Sequence, residues 1–375
     1  MSKLLNKLSE KIHSSGGHAD HSPPHQIPFT TRPSSSSPQA TAELPEPDAF
    51  HADKDKKWRA AKLGAIFSNS MPKLGWDKGR TSTLAGKTFW NFGDVLAVDG
   101  LHHGFSMGAA FYANPHNVLE IDTKGAENVA GWDFVKPHAS DEKPCGETNH
   151  WGMDTSNVAE VEDGVGVGFA FEVWRDTTGK EVPKGLAIFK CSLGEKAPVA
   201  ERFGPLIAGP EALQVGLMTI TRADGYIYTY SNGGPTGIVI GRAKLNEAFD
   251  ASKYEFMRTD GQWVVGIPQQ DDGGYGIQTT GQEQGKIHSD GQGSIMYNRY
   301  LEKWMLFTCM YGWSANFYLS NTPYGPWSTQ YTLLGETEGY GINVHPSMSE
   351  DHRVLYLSSG TAENIITMWK IELGY

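Results

Sequence analysis

Five short polar turns, each followed at once by an apolar run, recur along residues 59–375 and constrain the fold more than any other feature. They are Ala85-Gly86-Lys87 before Phe89-Trp90, Glu162-Asp163-Gly164 before the run from Val165 to Phe171, and Ala223-Asp224-Gly225 before Tyr226 to Tyr230. Leu301-Glu302-Lys303 before Trp304 to Phe307 and Asp351-His352-Arg353 before Val354 to Leu357 complete the set. Polar tips between apolar runs are hairpin signals. The last four turns are also preceded by strand-like runs, Val158–Val161, Val215–Thr221, Ser294–Tyr297 and Val344–Ser349. Outer strands are expected at 237–240, 315–320 and 365–371. Five units over this span take roughly 63 residues each, longer than the usual four-stranded propeller blade, so the units must carry insertions. Helical pattern is scarce, with at most a turn or two near Ala212 and between Lys244 and Tyr254. The reading is all-β, a five-bladed β-propeller over residues 58–375, in preference to a sandwich.

Composition agrees with many short strands. The chain has 44 glycines, 11 tryptophans, 15 tyrosines and 16 phenylalanines in 375 residues. Its net charge of −11 argues against a phosphate-backbone partner, and nucleic acid is excluded as a ligand class. No apolar run is long enough for a membrane span. Three widely spaced cysteines, Cys145, Cys191 and Cys309, do not form a disulfide framework and read as free thiols.

Residues 1–57 read as a disordered His-, Ser- and Pro-rich tail, with a serine run from Ser34 to Ser37. Leu4, Leu5, Leu8 and Ile12 share one helical face, but twelve residues are marginal for a helix. His13, His18, His21, His25 and His51 lie in this tail without a fixed metal geometry. The N-terminus lacks the continuous apolar core of a secretory signal, so a cytoplasmic location is the default, with unconventional export left open.

In a propeller, the start of each blade's first strand and the end of its second face one mouth. Blade one thereby offers Asp77 and Asp94, blade two Asp154 and Glu172, blade three Gln214 and Tyr230, blade four Asp290 with His288 nearby, and blade five His345. Carboxylates gathered at one funnel suit glycosidic cleavage, in which one acid is protonated and the other ionised. Crowding in a partly dry mouth drives their pKa values apart. Asp77, Asp94 and Glu172 are the catalytic candidates. Asp154, His150, Trp151, Tyr230, His288, Asp290, Tyr311, Trp313 and His345 are the ligand-contact candidates, with Trp132, Trp151, Tyr311 and Trp313 as sugar-stacking aromatics. A strand-start Asp also commonly caps a turn, and a buried His commonly packs in a core. No cofactor motif is present: the chain lacks His-Glu-x-x-His, Cys-x-x-Cys, P-loop and Gly-x-Ser-x-Gly patterns. A channel cation ringed by Asp154, Asp290 and His345 is the one metal arrangement the pattern allows.

At these residues the chain resembles a family of five-bladed propellers from bacteria and fungi long catalogued as a domain of unknown function. The resemblance rests on Gly75-Trp-Asp77-Lys-Gly79, Phe92-Gly-Asp94, Asp224-Gly-Tyr-Ile-Tyr228, Gly293-Ser-Ile-Met-Tyr-Asn298 and Gly325-Pro-Trp-Ser328, in that order. Some bacterial relatives are endo-D-arabinanases, glycoside hydrolases that cut D-arabinofuranosyl linkages. The resemblance implies the propeller fold, a carbohydrate ligand, and Asp77 and Asp94 as the first catalytic candidates. The chain departs from the pattern at Val95, where Thr is usual, in the 136–151 segment, and in the missing secretion signal. The competing expectation is a non-hydrolytic propeller that binds a carbohydrate, small molecule or protein, or an enzyme of small-molecule metabolism that reuses the funnel.

Overall fold

The computed structural model describes residues 58–97, 105–123, 134–136, 138–140, 150–175, 180–279, 285–290, 292–310, 314–335, 339–361 and 363–374. The regular elements among them are strands and short 3-10 turns. The chain enters at β1 (Trp58–Ala65), which belongs to the last blade. Blade one carries β2 (Leu74–Trp76), β3 (Arg80–Leu84), β4 (Lys87–Asn91), β5 (Asp94–Ala97), β6 (Phe105–Met107) and β7 (Ala110–Tyr112), paired as β3-β4-β7 and β2-β5-β6. Blade two holds β8 (His150–Thr155), β9 (Ala159–Glu162), β10 (Val165–Arg175), β11 (Glu181–Leu193) and β12 (Pro198–Arg202). Here β8 and β9 pair end to end along β10. Blade three runs β13 (Thr219–Ala223), β14 (Tyr226–Asn232), β15 (Ile238–Lys244), β16 (Glu255–Met257) and β17 (Trp263–Val265). Blade four runs β18 (Gly293–Asn298), β19 (Lys303–Met310), β20 (Ser314–Ser320) and β21 (Tyr331–Leu334). Blade five runs β22 (Tyr340–Val344), β23 (Val354–Gly360) and β24 (Ile366–Leu373), with β1 added on the outside.

Local chemistry explains the hairpins. Ala85 and Gly86 at the β3–β4 tip have φ of 43° and 76°, and Asp224 and Gly225 at the β13–β14 tip have 49° and 81°. Two successive positive φ values make the primed turn whose twist matches the flanking strands. Two strand expectations are corrected. The run over 344–349 ends as a strand at Val344, and Pro346–Met348 form a 3-10 turn. Pro346 has no N–H to donate to a ladder. The run over 215–221 yields a strand only from Thr219, because Gly216 sits at φ 71°. The short helical turns expected between Lys244 and Tyr254 are present as Leu245–Glu247 and Ala251–Lys253. The tail assigned to residues 1–57, and Cys145, lie outside the described residues. No helix among the described residues is long and apolar enough to cross a membrane.

The apolar residues segregate into clusters that each join two neighbouring blades. Leu84 and Phe89 meet Met153 and Phe189 between blades one and two. Phe169 and Phe171 meet Ile227 and Phe256 between two and three. Tyr228 and Ile240 meet Leu306 and Trp327 between three and four. Phe307 and Phe317 meet Leu357 and Trp369 between four and five. Ile366 and Met368 meet Trp76 and Trp90 between five and one. The ring is joined where β1 pairs antiparallel with β24, from Trp58 opposite Leu373 to Ala65 opposite Thr367. Trp369 lies at this seam, paired with Lys62 and Leu357, 4% exposed, its indole N–H donating to Ser359 Oγ at 3.3 Å. Trp369→Ala removes a large buried ring there and is expected to lower unfolding free energy by about 3–5 kcal/mol. Urea denaturation checks this, and a loss under about 1 kcal/mol would contradict the packing described.

Candidate functional site

β2 leads through Asp77 and Lys78 into β3, and β4 leads through Phe92 and Gly93 into β5. The two connections are clasped by backbone bonds: Asp77 N–H donates to the Asp94 carbonyl at 2.9 Å, and Gly93 N–H donates to the Asp77 carbonyl at 2.8 Å. Asp77 and Asp94 therefore stand side by side at the end of the channel where the inner strands begin. The approach is close: a Cβ on Gly93 would lie 2.9 Å from Asp77 Oδ2 and 3.0 Å from the Lys78 side chain, so a larger residue there would have to displace both side chains. Lys78 holds φ 54°, a left-handed conformation that L side chains adopt at a cost. From that turn its ammonium reaches across to blade two and donates to Asp154 Oδ2 at 2.5 Å. From blade five the Tyr340 hydroxyl donates to Asp77 Oδ1. Below them Arg80, 3% exposed, spans the channel and donates to the Thr155 carbonyl at 2.8 Å and the Leu217 carbonyl at 2.7 Å.

Five charged groups thus share one mouth: Asp77, Asp94, Asp154, Lys78 and Arg80. Burial pushes the Asp77 carboxyl up to about 7; Lys78 opposes the shift, Asp94 and Asp154 add to it, and Arg80 opposes it. Burial also works against the Lys78 charge, but Asp154 and Asp77 outweigh it and hold the ammonium above its ordinary value. Asp77 is therefore a carboxyl raised toward neutrality, set beside Asp94 and Asp154 and the cations Lys78 and Arg80. Protonated and ionised acids at one site are what general acid–base chemistry needs.

The other expected site residues are placed as follows. Asp290 lies at the start of blade four's inner segment, its N–H donating to the Cys309 carbonyl at 2.7 Å, and His288 is exposed two residues earlier. His150 and Trp151 lie on β8, on the segment that leads to Asp154. Trp132, Tyr311 and Trp313 fall outside the described residues. Three expectations are corrected. Glu172 is 1% exposed and is drawn outward through the blade, toward Arg202 on the outermost strand β12. Arg202 Nη1 stands 3.5 Å from Glu172 Oε2, and the Trp174 indole N–H donates to Oε1 at 2.9 Å. Tyr230 is fully buried between blades three and four and donates its hydroxyl to the Pro323 carbonyl. His345 is also fully buried, its Nδ1 2.9 Å from Thr81 Oγ1 and its ring 4.5 Å from that of Trp90. Burial drives the imidazole down to about 3, so it stays neutral at ordinary pH. Among the described residues no group of three or more His, Cys, Asp or Glu side chains is arranged to hold a metal ion.

Lys78, Arg80 and Tyr340 were not among the residues expected from sequence. Lys78 lies within the quoted Asp77 segment and Arg80 directly after it, and Tyr340 sits in Gly339-Tyr340-Gly341, a spacing that marks special backbone. A cavity of about 260 Å³ occupies the channel on the other side of Arg80, walled by Thr81, Thr83, Thr219, Thr221 and Ser294 from several inner strands. It contains none of the candidate acids.

No family model matches the chain. No curated protein matches it either. Solved structures do. A hydrolase candidate from Bacteroides ovatus is 14% identical, with a TM-score of 0.58 over 89% of this chain and 97% of that one. An exo-beta-1,3-galactanase from Phanerochaete chrysosporium with galactose is 10% identical, with a TM-score of 0.48 over 82% of this chain and 64% of that one. The GH43_1 enzyme from Xanthomonas citri complexed with xylose is 10% identical, with a TM-score of 0.46 over 82% and 89%. At 14% identity the first of these establishes the shared propeller fold.

Two stability outcomes separate the roles of the buried acids. Glu172→Gln removes the carboxylate charge that faces Arg202 inside the blade and is expected to cost about 3–5 kcal/mol, read as a large drop in Tm. Asp77 behaves in the opposite sense. Its folded value of about 7 exceeds the ordinary 3.8, so its stabilising share is complete below pH 4 and is lost as pH rises through 7. The Tm of the parent chain should therefore fall relative to that of Asp77→Asn by several degrees between pH 4.5 and 8. A difference that does not change with pH would contradict the burial of this carboxyl.

Proposed function

We propose that this chain is a glycoside hydrolase that cleaves a furanoside-type, arabinan-like bond at the mouth where Asp77 and Asp94 meet. The observation that carries the reading is the clasped Asp77–Asp94 pair with one carboxyl raised to about 7. In this mechanism Asp77 enters the cycle protonated and donates to the leaving glycosidic oxygen. Asp94, beside it, is the ionised partner that acts as a nucleophile or as the base for water. The positive charge that builds on the sugar in the transition state is stabilised by the carboxylates of Asp94 and Asp154. Lys78, tied to Asp154, keeps the cluster from accumulating three uncompensated negative charges. The family resemblance noted above supports the furanoside class, and the propeller fold shared with a hydrolase candidate is consistent with it.

The test is reducing-sugar release from a panel of furanoside polysaccharides and aryl glycosides. The parent chain is expected to cleave at least one, with the rate declining above about pH 7 as Asp77 loses its proton. Asp77→Asn and Asp94→Asn are each expected to lower kcat by about 10²- to 10⁴-fold while the protein stays folded. Full activity in both variants, or no release from any substrate, would remove this assignment. Retention of a small ligand or protein without turnover would point to the non-hydrolytic reading.

A further inference from the structure

Asp77 receives its direct side-chain hydrogen bond from a blade on the far side of the seam. Tyr340 opens β22 and pairs with Gly360 on β23. The preceding residue must be glycine, because a Cβ on Gly339 would lie 1.5 Å from the Gly360 carbonyl oxygen. The ring rests against Gly360, whose Cβ would stand 3.5 Å from Tyr340 Cζ. Gly341 follows at φ 69°, another conformation that favours glycine. The phenol is half-buried, and its hydroxyl donates to Asp77 Oδ1. Of the nearby cations, Lys78 Nζ is hydrogen-bonded to Asp154 and Arg80 Nη1 and Nη2 to carbonyls, and both act on Asp77 through their charge.

We propose that Tyr340 is the positioning residue of the site: its hydroxyl fixes the rotamer of Asp77 and sets the pH at which that carboxyl gives up its proton. This deepens, and rests on, the reading of Asp77 as the acid of the mouth. A phenol that donates to a carboxylate favours the ionised form. In this proposal it opposes the upward push that burial, Asp94 and Asp154 exert on Asp77, in the same sense as the charges of Lys78 and Arg80. Without it, Asp77 holds its proton to higher pH. The device couples ring closure to chemistry, since Tyr340 belongs to the blade that β1 completes.

The experiment follows aspartate side-chain carboxyls by ¹³C NMR through a pH titration of the full chain, with Asp77→Asn to assign the signal. In Tyr340→Phe the Asp77 midpoint should rise by about one to two pH units. Incorporating 3-fluorotyrosine at position 340 keeps the shape and strengthens the donor, so the midpoint should move the other way. A midpoint that neither replacement moves would overturn the proposal, because a merely structural role predicts that result. On any glycoside the parent cleaves, the limb of the kcat/KM profile set by Asp77 should move with the NMR midpoint. Loss of kcat in Tyr340→Phe with no displacement of that limb would also overturn it. The NMR arm needs no substrate: a shifted midpoint in a chain that cleaves nothing sinks the glycosidase reading alone, and an unmoved midpoint in an active enzyme sinks this inference alone.

Discussion

Each blade of this protein is apolar on both faces, and that single fact dictates the rest. A sheet with two apolar faces needs a neighbour on each side. A row of such sheets leaves two faces wet, whereas a closed ring leaves none. Each adjacent pair of blades shares a cluster of buried residues, down to Trp76, Trp90, Ile366 and Met368 at the junction of last and first. Closure also needs a hydrogen-bonded seam. β1 supplies it by pairing with β24, so the start and end of the domain lie in one sheet.

Closure fixes where polar chemistry is permitted. Between blades the packing is largely apolar, and Glu172, buried there, is held by Arg202 and Trp174. At the channel mouth side chains from different blades converge, from the turn before β3 in blade one and from strands β8 and β22 in blades two and five. Asp77 arrives from blade one, Asp154 from blade two and Tyr340 from blade five. Their charges are balanced locally by Lys78 and Arg80, which come from the same short segment as Asp77. That segment accepts a left-handed lysine to bring the ammonium round to Asp154, a strain that the ion pair and the surrounding ring must offset.

Much of this was legible in the sequence. Turn chemistry located the hairpins, and antiparallel geometry brought Asp77 beside Asp94, as the bonds from Asp77 N–H to the Asp94 carbonyl and from Gly93 N–H to the Asp77 carbonyl show. What failed was the choice among inward positions. A period of two tells which side of a strand a residue occupies, but not whether that side faces the channel or a neighbouring blade. Glu172, Tyr230 and His345 satisfy the same strand-end rule as Asp94, yet all three are buried in packing. Lys78 and Tyr340 were missed for a different reason. Their placement depends on positive φ at 78 and on the close passage of Gly339 past Gly360, which are properties of backbone rather than of hydrophobic pattern.

The account stands on one claim, that the mouth carrying Asp77 is where a glycosidic bond is held and broken. The most direct measurement is a crystal structure of the Asp77→Asn chain with an oligofuranoside that the parent cleaves. The account predicts an intact sugar at this mouth, with its scissile oxygen within hydrogen-bond reach of the residue 77 side chain and Asp94 beside the sugar. A sugar seated in the cavity beyond Arg80, or on the outer surface of a blade, would contradict it.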